Sequence, residues 1–155
     1  MIRLRSGLPG VALALLAVSA RADLPRQELT AAYKAECAAC HVAYPPALLP
    51  AESWQRLMGG LDKHFGVDAS LDAATTKAIG DWLAARAGTY RKVQRERTAP
   101  PQDRITRSAW FVREHDEVPR ATWQRADVRS PANCSACHRQ ADQGLYDEHD
   151  IRIPR

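Results

Sequence analysis

The sequence predicts an all-α fold of short helices. Three observations carry this reading. Apolar residues recur at three- and four-residue intervals along most of the chain, and no strand-rich region stands out. All four cysteines lie in two copies of one pattern, CAACH at 37–41 and CSACH at 134–138. The spacing is that of amphipathic helices, and the repeated pattern says what those helices are arranged around.

The N-terminus is read as a targeting segment rather than part of the fold. MIRLRSG carries two arginines, LPGVALALLAVSA is an apolar run of 13 residues, and Ala20-Arg21-Ala22 is a small-x-small cleavage site. That is the layout of a secretory signal peptide over residues 1–22, so export is expected. A membrane anchor needs about 20 apolar residues, so no stable membrane insertion is expected. Cleavage leaves a mature chain of 133 residues starting at Asp23. Arg3, Arg5 and Arg21 leave with the signal, so 19 basic residues face 18 acidic ones and the pI of 9.1 misleads. Nucleic-acid binding, which needs a strong basic surplus, is not expected.

In the first helical stretch, 23–41, Leu29, Tyr33, Cys37 and Cys40 share a face, so CAACH hangs from a helix end. The segment 52–66 carries a stripe of Trp54, Leu57, Met58, Leu61 and Phe65. Gly59 and Gly60 weaken it by about 1 kcal/mol each relative to alanine; close approach of a flat ligand would explain their presence. Ser70 is the expected N-cap of a third helix, 71–88, with Ile79, Trp82, Leu83 and Ala87 inward and Gly88 as its stop. The basic stretch 91–104 with Pro100-Pro101 reads as a solvated linker between a first lobe, 23–90, and a second, 105–155. A docking patch of its arginines is the sharper, less favoured reading. The second lobe opens with a helical run at 105–118, ended near Pro119. A short helix is expected over 130–144, with Ser130 as cap, Pro131 at the first position and Gly144 past the end. The tail from Tyr146, with His149, Ile151 and Ile153 alternating, reads as extended.

Two bare CxxC pairs make a poor disulfide scaffold for a chain of this length. No βαβ context supports a thioredoxin-type site. Zinc would need thiolates gathered at one point, but the pairs stand more than 90 residues apart. What remains is covalent attachment of two haem c groups, through Cys37 and Cys40 and through Cys134 and Cys137, with His41 and His138 as proximal iron ligands. Two macrocycles on so short a chain would supply much of its buried apolar surface, leaving little conventional core.

A second axial ligand sets what a haem iron does: histidine lowers the potential, methionine raises it, and an open position binds small molecules. His64, His115, His149 and Met58 are the candidates. His64 emerges from the stripe of Trp54, Leu57 and Leu61, and takes the first iron ahead of Met58. For the second iron, His115 stands on a helical face with Phe111 and Val118, while His149 shares a side with Ile151 and Ile153. Reach does not separate these two, because the chain from His138 to His149 can span about 30 Å. Chain order offers more: His41 and His64 are 23 residues apart, as are His115 and His138, with distal and proximal order reversed.

The strings CAACHVAYPPALLPAESWQRLMGGLDKHFGVDASLD, WFVREHDEV and NCSACH resemble the bacterial dihaem cytochrome c family over nearly all the mature chain. The resemblance implies a periplasmic electron-transfer protein whose N-terminal half is similar to a shortened class I cytochrome c. It implies low-potential bis-histidine ligation, with His64 and His115 at the matching positions. It also implies redox partners: a small oxygen-binding c-type cytochrome and a membrane b-type cytochrome.

The function expected is electron shuttling rather than catalysis, both irons being six-coordinate. Glu114, Asp116 and Glu117 could keep His115 electron-rich, although a solvated acidic face is the plainer reading. The rival is a five-coordinate second haem acting as a small-molecule or peroxidase-like site. A weaker alternative is a structural haem subunit of a larger respiratory complex.

Overall fold

A computed structural model describes residues 24–154. Among the described residues six helices run in chain order: α1 (Ala31–Cys37), α2 (Ala51–Met58), α3 (Ala73–Arg86), α4 (Arg91–Gln94), α5 (Ala109–Glu114) and α6 (Arg120–Trp123). Short 3-10 turns lie between α1 and α2, α2 and α3, and α4 and α5, and after α6. Among the described residues pairing of β type is confined to two isolated bridges, His64 with Val67 and His138 with Ile151. The expected all-α class holds. The proposed signal peptide, 1–22, lies outside the described residues.

Most helices are shorter than their apolar periodicity predicts, and the reasons are local. Residues 24–29 form no helix, and α1 starts only where the Thr30 hydroxyl accepts the Tyr33 amide, 3.2 Å away. Cys37 is its last residue, so CAACH does hang from a helix end. The expected helix over 52–66 breaks at Gly59-Gly60, where α2 stops. A Cβ at Gly59 would stand 3.3 Å from the carbonyl oxygen of Gln55, so what the glycine faces is its own helix. After a 3-10 turn at Leu61–Lys63 the chain reverses through Phe65 (φ +50°) and Gly66 (φ +97°). For Phe65 that left-handed conformation costs roughly 1–2 kcal/mol.

Helix α3 is capped by Asp72 rather than Ser70: Asp72 Oδ1 accepts the amides of Ala74 and Thr75 at 3.0 Å. Ser70 instead donates its own amide to Asp68 Oδ1. Ile79 and Leu83 on α3 are buried against Leu29, Tyr33, Leu49 and Trp54, which forms one core cluster. Past the end of α3, Gly88 (φ +63°) gives its amide to the carbonyl of Leu49 at 2.8 Å.

A second cluster joins Ala47, Leu48, Tyr90, Val93, Trp110 and Phe111, with Tyr44 and Ile105 packed against both clusters. The protein part of the core is therefore more conventional than expected. It also corrects the reading of 91–104 as a solvated connection. Val93 and Pro100 are buried, Lys92 pairs with Glu114, and the Glu96 carboxylate accepts the Trp110 amide. Asp103 holds Arg56 of α2 in a bidentate pair at 2.6 and 2.9 Å. Gln102 and Asp103 both adopt left-handed φ, +58° and +54°, a turn that aims Asp103 back at α2.

The helix expected over 130–144 does not form. Side chains there bond the backbone locally: the Ser130 hydroxyl accepts the Ala132 amide, and Asn133 donates to the carbonyl of Val128. Such contacts compete with helix formation, leaving 3-10 turns at Cys134–Ala136 and Ala141–Gln143, with Gly144 (φ +73°) closing the second. The tail is extended only after the Glu148–Asp150 turn. There Ile151 bridges His138, and Arg152 donates its amide to the Cys137 carbonyl at 2.9 Å.

Candidate functional site

Four of the five histidines meet in two pairs. The rings of His41 and His64 have centroids 6.2 Å apart and planes at 29°; those of His115 and His138 are also 6.2 Å apart, at 70°. A metal–imidazole bond is about 2.0–2.1 Å, and the ring centre lies roughly 1.1 Å behind the nitrogen. Two imidazoles on opposite sides of one iron therefore have centres roughly 6.2–6.4 Å apart. Both pairs match that spacing.

The surroundings suit neutral imidazoles. Burial, then the neighbouring His41 and Arg104, lower the pKa of His64; burial, then His115, lower that of His138. A neutral ring is the form that ligates. Nδ1 of His41 is 2.8 Å from the Val42 carbonyl oxygen, and Nδ1 of His115 is 2.9 Å from that of Phe111. A ring nitrogen donating to a carbonyl leaves its opposite nitrogen free to bind metal. The Nδ1 atoms of His64 and His138 are buried without a hydrogen-bond partner.

Each pair has a CxxC beside it. Cys37 is half-buried and its thiol is pushed up to about 11 by burial and then by Glu36. Cys134 is pushed up to about 12 by burial, and Cys137 is raised by burial and then Asp127. Raised thiols of this kind are poor redox nucleophiles. All four are unpaired. Among the described residues no three His, Cys, Asp or Glu side chains gather as a metal cage. The arrangement suits an iron carried by its own macrocycle and tethered through the thiols. Trp110 Nε1 and Tyr146 Oη are buried donors without acceptors, and burial raises the Tyr146 phenol. Both fit a ligand that brings its own acceptor oxygens, such as haem carboxylates.

The other candidates lie elsewhere. His149 is exposed on its 3-10 turn, its amide donated to Asp147, and the ring facing His138 belongs to His115. Met58 packs against α3 beside Gly80. Asp116 and Glu117 are exposed, whereas Glu114 is engaged by Lys92, so the solvated acidic face expected for all three covers only two.

Three further residues shape the sites; of these only Phe111 was anticipated from the sequence, as part of the apolar face of His115. Tyr44 stacks on His41 (4.7 Å, 20°) and its hydroxyl donates to the Ala132 carbonyl at 2.6 Å, two residues before Cys134. Phe111 stacks on His115 (4.0 Å, 18°). Arg104 lies over the Phe65 ring, 4.0 Å from its centroid, next to His64. Tyr44 was visible as an aromatic three residues after His41; the Arg104 contact joins distant positions and has no local signal.

The profile of the dihaem cytochrome c family matches residues 33–146. Among solved structures, the dihaem cytochrome c of Shewanella baltica is 41% identical, covers 80% of this chain and 92% of its own, and superposes with a TM-score of 0.68. The dihaem cytochrome c of Rhodobacter sphaeroides is also 41% identical, covers 77% of this chain and 100% of its own, with a TM-score of 0.68. A second structure of the latter gives 42% identity, the same coverage and a TM-score of 0.65. No curated protein matches the chain.

Proposed function

The chain belongs to the dihaem cytochrome c family, with two haem c groups, and we propose that it is a periplasmic electron-transfer protein, not an enzyme, each iron held between two histidines. Haem iron supplies the one-electron step by cycling between ferric and ferrous states. The chain's part is to tether, ligate and shield. Cys37 and Cys40 hold the first haem, and Cys134 and Cys137 the second. His41 with His64 would hold the first iron and His138 with His115 the second, a donor set that would keep the potentials low. Trp110 and Tyr146, whose buried donors lack an acceptor, would donate to the haem carboxylates. Two histidines on each iron would leave no open position for a substrate.

The observation that carries this reading is the common 6.2 Å spacing of the two histidine pairs. It favours His115 over His149 and leaves the five-coordinate second haem without support. Donor and acceptor are other redox proteins; a small oxygen-binding c-type cytochrome and a membrane b-type cytochrome are the pair the resemblance implies.

The test is spin state. The wild-type ferric protein is expected to be fully low-spin. His115→Ala makes one of its two haems high-spin, and His149→Ala changes nothing. High-spin iron in His149→Ala with His115→Ala unaffected would sink the assignment. Export is checked by mass: the mature holoprotein is expected to begin at Asp23 and to carry two haems, and retention of residues 1–22 would refute cleavage.

A further inference from the structure

His64 and His115 are held by different means. His115 closes α5, where its Nδ1 bonds the Phe111 carbonyl and its ring stacks on the Phe111 side chain. His64 has no such brace. Its Nδ1 is buried without a partner, it stands outside any α-helix, and the chain turns sharply after it through Phe65 and Gly66. One contact on that turn from a distant segment is Arg104, whose guanidinium lies 4.0 Å from the Phe65 ring centroid. Arg104 is itself fixed: it follows the left-handed pair Gln102-Asp103, and Asp103 is tied to Arg56 of α2.

We propose that Arg104 is a positioning residue for His64, clamping the Phe65 turn so that the imidazole stays on the first iron. Residues 102–104 then act as a strap from the connecting segment across the distal turn. When the strap loosens, the first haem, rather than the second, opens to a small neutral diatomic ligand. A guanidinium stacked on an aromatic ring within about 6 Å is attracted by the ring quadrupole. Loss of that contact raises the share of time the turn spends away from the iron. Lysine keeps the charge but not the planar stack, so the two contributions separate.

This rests on His64 being the distal ligand, and the experiment keeps the two claims apart. Carbon monoxide uptake is followed optically on the reduced holoprotein, with haem content checked at two per chain. Arg104→Ala is expected to take up one equivalent about two- to fivefold faster than wild type, the factor that about 0.5–1 kcal/mol contributes to a rate. Arg104→Lys falls between them, and Arg107→Ala, on the exposed face of the next turn, behaves as wild type. His64→Ala alone takes up one fast equivalent. The double variant Arg104→Ala/His64→Ala still takes up one, whereas Arg104→Ala/His115→Ala takes up two. No fast uptake in His64→Ala overturns the ligand assignment. Fast uptake there with a wild-type rate in Arg104→Ala overturns only the clamp, as does a second fast equivalent in Arg104→Ala/His64→Ala.

Discussion

The two histidine pairs share one spacing and are built in opposite ways. His115 is positioned from within its own helix, on a turn that buries Trp110 and Phe111. His64 is positioned by a strained reversal after α2 and by a contact from a segment 40 residues away in the sequence. The lesson is that iron ligation fixes a distance, not a scaffold. A site embedded in core packing resists perturbation in proportion to that packing. A site carried on a turn depends on a few contacts that can be removed one at a time.

Removing the aromatic beside each ligand should expose this contrast most strongly. Phe111 is 6% exposed and belongs to a core cluster, whereas Phe65 is 43% exposed. Phe111→Ala is expected to lower stability by about 3–5 kcal/mol, read by chemical denaturation of the holoprotein. Phe65→Ala should cost less than about 1 kcal/mol. Comparable losses in the two variants would erase the distinction between the sites.

A smaller effect probes what the sites share. Tyr44 stacks on His41 and donates across to Ala132, beside the second CxxCH. Tyr44→Phe keeps the ring and deletes the hydrogen bond, leaving a carbonyl without this donor. A loss of about 1 kcal/mol is expected, with the first haem's optical spectrum unchanged because the stack survives. An unchanged denaturation midpoint would mean that the two halves do not lean on one another here.

The parts of this arrangement legible in the sequence were those with local causes. CxxCH spacing announced the attachment sites. The apolar stripe under His115 and the mirrored 23-residue separations pointed toward the histidines that the structure brings together, but His149 stayed a rival until the family resemblance was added. Helix ends were less legible. Gly59-Gly60 looked tolerable inside a helix because propensity counts a cost of about 1 kcal/mol each, yet two in succession let α2 end and free His64 to turn away. Ser130 and Asn133 carried a mixed message, since the residues that cap helices also bond their own backbone and prevent them. Least legible was the segment 91–104. Its basic composition and prolines were those of a solvated connection, while Val93, Glu96 and Asp103 find their partners only once both halves are folded.

The hydrogen bond from Tyr44 to Ala132 also bears on how the chain folds. It closes a loop of 88 residues, and closing so long a loop costs about 4 kcal/mol of chain entropy. Contacts of such wide sequence separation slow folding, because their entropy is lost before their energy is gained. The environment of His41 is therefore completed only when the segment carrying the second CxxCH arrives. The N-terminal half, though it holds a full attachment motif and its own histidine pair, waits on the other half to finish.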